Sequence, residues 1–223
     1  MMDWQALNLS LLLAALTAAI LVPVSVFVGR RLALSKSKSL PVIEALIALP
    51  LVLPPTVLGF YLLTAFGKGS PLGELWQTVF GHSLAFSFEG LLLASIIVNI
   101  PFAMQPIQRG FEAVPQELRD AAACSGMSPL ETLWKIELPL AWPAVLTGAV
   151  LTFAHTLGEF GVVLMVGGAI PGETKTIAIS IYDKVQSFDA RSAAEMSAVL
   201  LAVSVTTITL TFLMSRKIGR RLS

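Results

Sequence analysis

Five apolar segments dominate this chain and most constrain what it can fold into. They lie near residues 7–29, 41–66, 90–105, 140–167 and 193–214, and about 20 apolar residues are enough for one helix to cross a membrane. The third segment is short, and we expect flanking residues to extend it. Only 13% of the residues are charged, against roughly a quarter in soluble domains. The sequence predicts an all-α integral membrane protein of about five transmembrane helices, forming one domain over 1–223 with its core at about 7–214.

Basic residues are concentrated in the loops that follow the odd-numbered segments. Because lysine and arginine in short loops tend to stay in the cytoplasm, this asymmetry predicts an external amino terminus and a cytoplasmic carboxyl terminus. The residues after the odd segments are Arg30, Arg31, Lys36, Lys38, Arg109, Arg119, Lys135, Arg216, Lys217, Arg220 and Arg221, against Lys68, Lys175, Lys184 and Arg191 elsewhere.

A polar loop at residues 115–138 separates the third and fourth segments, on the predicted cytoplasmic side. Pro115 suits the first turn of a helix, and the three alanines at 121–123 favour helix. Gly126 can adopt the left-handed backbone conformation that ends a helix. We therefore expect a first short helix that stops near Cys124 or Ser125.

A second helix of the polar loop is expected directly after the first. Ser128 can cap it, with Pro129 at its first position and Glu131 three residues after the cap, which is the spacing of a capping box. We expect this helix to run to about Glu137, with Glu131, Lys135 and Glu137 outside its apolar stripe. Such a helix pair can dock a soluble protein while facing water. The stripe consists of Leu130, Leu133, Trp134 and Leu138.

The second apolar segment contains three prolines, Pro50, Pro54 and Pro55, so it cannot form a regular helix. Irregular backbone at membrane depth is tolerated where it is buried in protein or lines a wet cavity. Pro50, Pro54, Pro55 and the adjacent Thr56 are therefore candidates to line a pathway. A structural kink packed against neighbouring helices explains the prolines equally well.

The fourth apolar segment contains Gly158, Glu159 and Gly161, which are further candidates for a pathway or gate. Ionisable groups at membrane depth often mark a route for ions. His155 lies four residues before Glu159 on the same helical face, so the two side chains could bond to each other as a structural pair. Glycines in membrane helices also permit close packing, which is an equally good explanation of Gly158 and Gly161.

Several function classes are excluded by what the sequence lacks. It contains no GxxxxGK[ST] phosphate loop, no paired cysteines or histidines at metal-binding spacing and no nucleophile elbow. We therefore expect no metal, no cofactor and no ATP hydrolysis by this chain itself. The net charge is only +1 and acidic residues outnumber basic ones in the helix pair, so nucleic acid is not an expected partner.

The polar loop resembles the signature of type I ABC importer permeases, Glu-Ala-Ala, three residues, Gly, nine residues, Ile-x-Leu-Pro. Here the signature reads Asp120-Ala121-Ala122, Gly126, then Ile136 and Leu138-Pro139, with aspartate in place of glutamate. The resemblance implies the type I permease fold and a loop that couples to a separate ATPase. The implied coupling residues are Asp120, Ala121, Ala122, Gly126, Ser128, Pro129 and Leu130.

Three further stretches, at 49–63, 156–168 and 170–182, resemble the molybdate permeases, with sulfate and tungstate permeases as near relatives. The resemblance implies a multi-pass protein of the cytoplasmic (inner) membrane in which two copies form the pathway. It also implies an ABC ATPase dimer on the cytoplasmic side and a periplasmic or extracellular molybdate-binding protein as partners. An ion-coupled secondary carrier and a passive membrane anchor remain the alternative functions.

Overall fold

The computed structural model describes residues 2–222, with side chains described up to residue 209 and at 213. Every regular element in these residues is helical, which confirms the all-α prediction. The predicted basic residues Arg216, Lys217, Arg220 and Arg221 lie outside the described side chains. The elements are α1 (Trp4–Ala33), α2 (Leu40–Val52), α3 (Pro55–Phe66), α4 (Pro71–Phe80), α5 (Phe88–Glu112), α6 (Gln116–Cys124), α7 (Pro129–Thr132), a π-helix (Leu133–Glu137), α8 (Leu138–Gly158), α9 (Gly161–Gly167), α10 (Ile177–Gln186) and α11 (Ala190–Leu222).

The described helices agree with the expected number of membrane spans. Four are long and apolar enough to cross a membrane: Trp4–Ala33, Phe88–Glu112, Pro129–Gly158 and Ala190–Thr209. The pair α2 and α3 makes a fifth if its two helices, bent by 107°, are one span. The short third segment is extended as expected, because Ser87 caps the start of α5 by accepting a hydrogen bond from the amide of Gly90.

The bent pair runs from one end of α5 to the other. Near its start, Glu44 accepts a hydrogen bond of 2.6 Å from Nε2 of Gln108, which lies in the last turns of α5. At its end, the carbonyl of Phe66 accepts from the amide of Ala85, just before α5 begins. The pair therefore crosses the bundle as a broken span does and does not return to the end where it started.

Helices α1, α5 and α8 form the centre of the bundle through small residues. A side chain on Gly110 of α5 would collide with Ala144 of α8, and one on Gly148 of α8 would lie 3.0 Å from the carbonyl of Ala103. A Cβ on Gly29 of α1 would lie 3.3 Å from the backbone nitrogen of Gln108. Because lipid is as apolar as these helices, close van der Waals packing of this kind stabilises their association in a membrane.

The helix that begins at Pro129 does not end near Glu137 as the sequence analysis expected. It passes through one π-helical turn, in which the amide of Leu138 donates to the carbonyl of Leu133, and continues as α8 to Gly158. Pro139, the second residue of α8, has no amide hydrogen to donate, and it lies directly after the π-turn. The expected single segment at 140–167 is therefore wrong at both ends, since α9 is a separate short helix.

Candidate functional site

The first helix of the polar loop ends as predicted, at Cys124. Gly126 has a φ of +75°, its amide donates to the carbonyl of Ala123, and the amide of Met127 donates to the carbonyl of Ala122. These two bonds form a Schellman motif, which satisfies carbonyls that the helix end leaves free. A residue with a Cβ is strained at this φ, so glycine is required for the tight reversal.

The second helix of the polar loop begins with the predicted capping box. The hydroxyl of Ser128 accepts from the amide of Glu131 at 3.3 Å, and the carboxylate of Glu131 accepts from the amide of Ser128 at 3.0 Å. The hydrogen bonds that its carboxylate accepts from the amide of Ser128, from Lys135 and from the hydroxyl of Ser128 lower the pKa of Glu131 from its ordinary value to about 2. The carboxylate therefore stays ionised at neutral pH and holds the helix start in place.

The polar loop presents most of its predicted coupling residues to solvent. Asp120, Ala121, Gly126, Ser128, Pro129 and Leu130 are exposed, whereas Ala122 is buried and packs the first helix onto the bundle. Leu118, Leu130 and Trp134 are large apolar side chains that are also more than one-third exposed. An acidic residue beside exposed apolar side chains is a surface suited to a protein partner.

Glu137 is a functional candidate that the sequence analysis missed. It was expected outside the apolar stripe, but its side chain is fully buried and forms ion pairs with Arg30 of α1 and Arg119 of α6. The π-helix displaces Glu137 from its α-helical position, and π-turns of this kind are frequent at functional sites. No local pattern could reveal the pairing with Arg30, since the two residues are 107 positions apart.

The second candidate region lies where two helix breaks meet. Leu53 and Pro54 interrupt α2 and α3 in extended conformation, and Glu159 does the same between α8 and α9. A side chain on Gly161 would place its Cβ 2.7 Å from Cβ of Pro55, so the backbones at the two breaks approach closely. The structure therefore brings together Pro54, Pro55, Glu159 and Gly161, four of the predicted pathway residues.

The remaining pathway candidates fall around this junction. Thr56 is exposed in the first turn of α3, and Pro50 is half-buried inside α2. Gly158 is exposed and has no atom within 4 Å of the position of a Cβ, so close packing explains Gly161 but not Gly158. A groove of about 640 Å³ lies between α2, α5 and α8 and is lined by Glu44, Ala48, Leu51, Phe102 and Gln105, among others.

Glu159 is buried at 8% exposure, and neither oxygen of its carboxylate has a hydrogen-bond partner among the described residues. The suggested bond between His155 and Glu159 is absent. Nδ1 of His155 lies 3.1 Å from Oδ1 of Asn99 instead, and its ring stacks on Phe102. Because helix α8 ends one residue before Glu159, the two side chains no longer share a helical face.

No group of three histidine, cysteine, aspartate or glutamate side chains within the described part of the chain is placed to hold a metal ion. The polar loop leaves an exposed surface at one end of the bundle, and the two helix breaks meet at a junction between spans.

The fold is that of type I ABC importer permeases. The chain is similar to the structure of a bacterial ABC transporter that imports the polysaccharide alginate, with a TM-score of 0.76, 16% identity and coverage of 98% of this chain and 81% of the other. It is also similar to the inward-facing MetNI methionine ABC transporter, with a TM-score of 0.70, 16% identity and coverage of 96% and 93%.

Residues 21–223 match the family described as binding-protein-dependent transport system inner membrane component, and the chain belongs to that family. It is 44% identical to a molybdenum transport system permease protein of Azotobacter vinelandii over 84% of this chain and 83% of the relative. A protein of the same description from Haemophilus influenzae is 35% identical over 99% and 95%. A probable sulfate transport system permease of Chlorella vulgaris is 34% identical over 75% and 63%.

Proposed function

We propose that this chain is the permease subunit of an ATP-driven ABC importer that moves molybdate across the cytoplasmic membrane by alternating access. The observation that carries the proposal is the polar loop, in which the permease signature coincides with two fully capped helix ends and an exposed surface. Relatives named as molybdenum permeases match most of the chain and support molybdate as the substrate.

The polar loop would receive the ATPase. Asp120, Ala121, Gly126 and Leu130 stand at or near its tight bend, where small residues allow entry into a cleft of the partner. One similar structure is an alginate ABC transporter in complex with a periplasmic protein, which supports a binding protein on the opposite side. ATP binding would draw two docked loops together, and this requires that nucleotide state favour one conformation of the permease over the other.

A second copy of the chain would complete the pathway. No residue of α2 is buried in the single chain, and Leu46 and Val52 of that helix are 64% and 78% exposed. Broken helices at membrane depth are tolerated where they face a cavity or protein. The junction of Pro54, Pro55, Glu159 and Gly161 would then face the translocation route and form its hinge or gate.

Uptake by the reconstituted complex tests this function. The chain and its ATPase are purified and reconstituted into vesicles. The binding protein is then added together with labelled molybdate or labelled sulfate. We expect molybdate uptake that requires both ATP and the binding protein. Uptake driven by an ion gradient without ATP would identify a secondary carrier, and uptake of sulfate alone would transfer the assignment to the sulfate permeases, in line with the Chlorella vulgaris relative.

Gly126→Asp tests the docking role of the polar loop. The variant forces a side chain into the left-handed conformation at the bend. We expect it to insert in the membrane and to lose ATP-dependent uptake. Normal oxyanion accumulation by this variant would refute the assignment of the loop.

A further inference from the structure

We propose that Glu137, held between Arg30 and Arg119, locks the polar loop to the nearby end of α1, so that the loop and α1 move as one body. The inference rests on the proposed function and adds a positioning residue to it. Glu137 occupies the position that the Ile-x-Leu-Pro signature leaves free, between Ile136 and Leu138. The signature therefore does not assign it a role.

Both oxygens of the Glu137 carboxylate are engaged. Oε2 accepts a hydrogen bond from Nε of Arg30, and Oε1 accepts from Nε of Arg119 at 2.7 Å. The carboxylate has no exposed surface, and the two arginine side chains are 19% and 13% exposed. Charged bonds shielded from water in this way are stronger and more directional than those on a surface.

The two arginines are themselves anchored to backbone carbonyls. Arg119 donates to the carbonyls of Val114 and Phe111 at 2.8 and 2.6 Å, which ties α6 to the end of α5. Arg30 also donates to the carbonyl of Pro129 at the start of α7. The cluster therefore joins the ends of α1 and α5 to both helices of the polar loop.

The other ion pairs among the described side chains differ from this cluster. In four of these pairs, at least one side chain is 44% or more exposed. In the fifth pair, Lys184 and Asp189 are 38% and 39% exposed. Exposed pairs contribute little because water and salt screen them. Among the described ion pairs, only the two that Glu137 forms have both side chains less than 20% exposed.

The Glu137 cluster would affect which spans move when the polar loop is displaced. The chain connects the loop covalently to α5 and α8 only. The Glu137 cluster adds α1, which packs along both of those spans through Gly29 and Val26. With the cluster intact, a pull on the loop moves three spans together; without it, the loop can tilt while α1 stays behind.

A reversible crosslink tests whether α1 and α6 move as one body. Ala33, the last residue of α1, and Gln116, the first residue of α6, line the same groove of about 400 Å³. Ala33→Cys and Gln116→Cys are combined with Cys124→Ser, which removes the chain's single native cysteine. They are then joined by a linker that contains a cleavable disulfide. We expect ATP-dependent uptake to continue in the crosslinked complex.

The variant Glu137→Gln tests the cluster directly, with Glu195→Gln as the matched control. Glu195 forms an exposed pair with Arg191 in α11, outside the cluster. We expect Glu137→Gln to assemble with the ATPase and to hydrolyse ATP, but to take up about tenfold fewer oxyanions per ATP. The control should keep the ratio of the unmodified complex. A purely structural role would lower assembly and leave this ratio unchanged.

The possible outcomes separate the two proposals. An unmodified complex without ATP-dependent uptake would overturn the proposed function itself. Uptake by the unmodified complex together with an unchanged ratio in Glu137→Gln would overturn only the role of Glu137. If Glu137→Gln does not assemble, the crosslink decides, because loss of uptake on crosslinking and recovery on cleavage would show that α1 and α6 must separate.

Discussion

Glu137 and Glu159 are both buried glutamates, and each lies at an interruption of the same long helix. Glu137 is the last residue of the π-turn and binds two arginines, whereas Glu159 follows the end of α8 and has no partner among the described side chains. Burial of a charged group is costly unless it is paired. Glu137 is therefore held by two ion pairs, whereas the described residues leave the carboxyl group of Glu159, at the junction of the two breaks, without a hydrogen bond.

Removing one arginine from Glu137 should produce the largest effect. Arg119→Leu leaves the buried carboxylate with one partner and frees the carbonyls of Phe111 and Val114. We expect a loss of about 3–5 kcal/mol in the free energy of unfolding, because a buried charge loses its compensation. Thermal unfolding of the purified permease measures this loss. A loss comparable to that from an exposed pair would mean that the cluster is not rigid.

Adding one methyl group at the junction should have the next largest effect. Gly161→Ala places a Cβ against Pro55, so we expect a loss of about 1–3 kcal/mol from overpacking. Gly158→Ala is the matched control, since the space around its Cβ is empty. Thermal unfolding of both variants separates the two cases. Equal stability of the variants would show that the two breaks do not pack closely.

Replacing the carboxyl group of Glu159 by an amide should have a small effect on stability. Glu159→Gln breaks no hydrogen bond within the described residues, and we expect a change below about 1 kcal/mol in the free energy of unfolding. Thermal unfolding of Glu159→Gln and of Glu137→Gln compares the two losses of stability. A large loss of stability in Glu159→Gln would reveal a bond to a group that the single chain does not contain, such as a second copy.

The exposed capping box of the polar loop should contribute least to the stability of the protein, and this contribution should be lost only in acid. The pKa of Glu131 is lowered to about 2, chiefly by the amide of Ser128 and by Lys135. Its ionised form therefore stabilises the cap above the ordinary value of 4.5, and this contribution is lost as the pH falls toward the lowered pKa. The thermal midpoints of the protein and of Glu131→Gln should converge between about pH 5 and pH 2. A constant difference would contradict the assignment.

Local sequence signals were sufficient to predict the helix ends of the polar loop. Gly126, Ser128 and Glu131 act on backbone groups within three or four residues of themselves, so their spacing in the sequence already specifies the bonds they form. The interruption of the second span was predictable in the same way, because Pro54 and Pro55 remove donors wherever they stand. The 107° bend followed from that interruption, although its size did not.

Errors arose where a distant partner decided the outcome. The end of the second loop helix was misplaced because the π-turn accommodates Glu137, whose partner Arg30 comes from the first span. His155 and Glu159 are four residues apart in the sequence, but their side chains do not pair. Helix α8 ends between them, and Asn99 of another helix binds His155.

The amino-acid sequence by itself determined the membrane environment, the helical class, the capped bend at Gly126 and the break at Pro54, because hydropathy, proline and glycine act locally. Only the tertiary structure decided that Pro55 touches Gly161, that Glu137 is buried between two arginines and that Glu159 is left without a partner. These contacts depend on how the spans pack side by side. The partners are far apart in the chain, so the residues around each of them do not specify that packing.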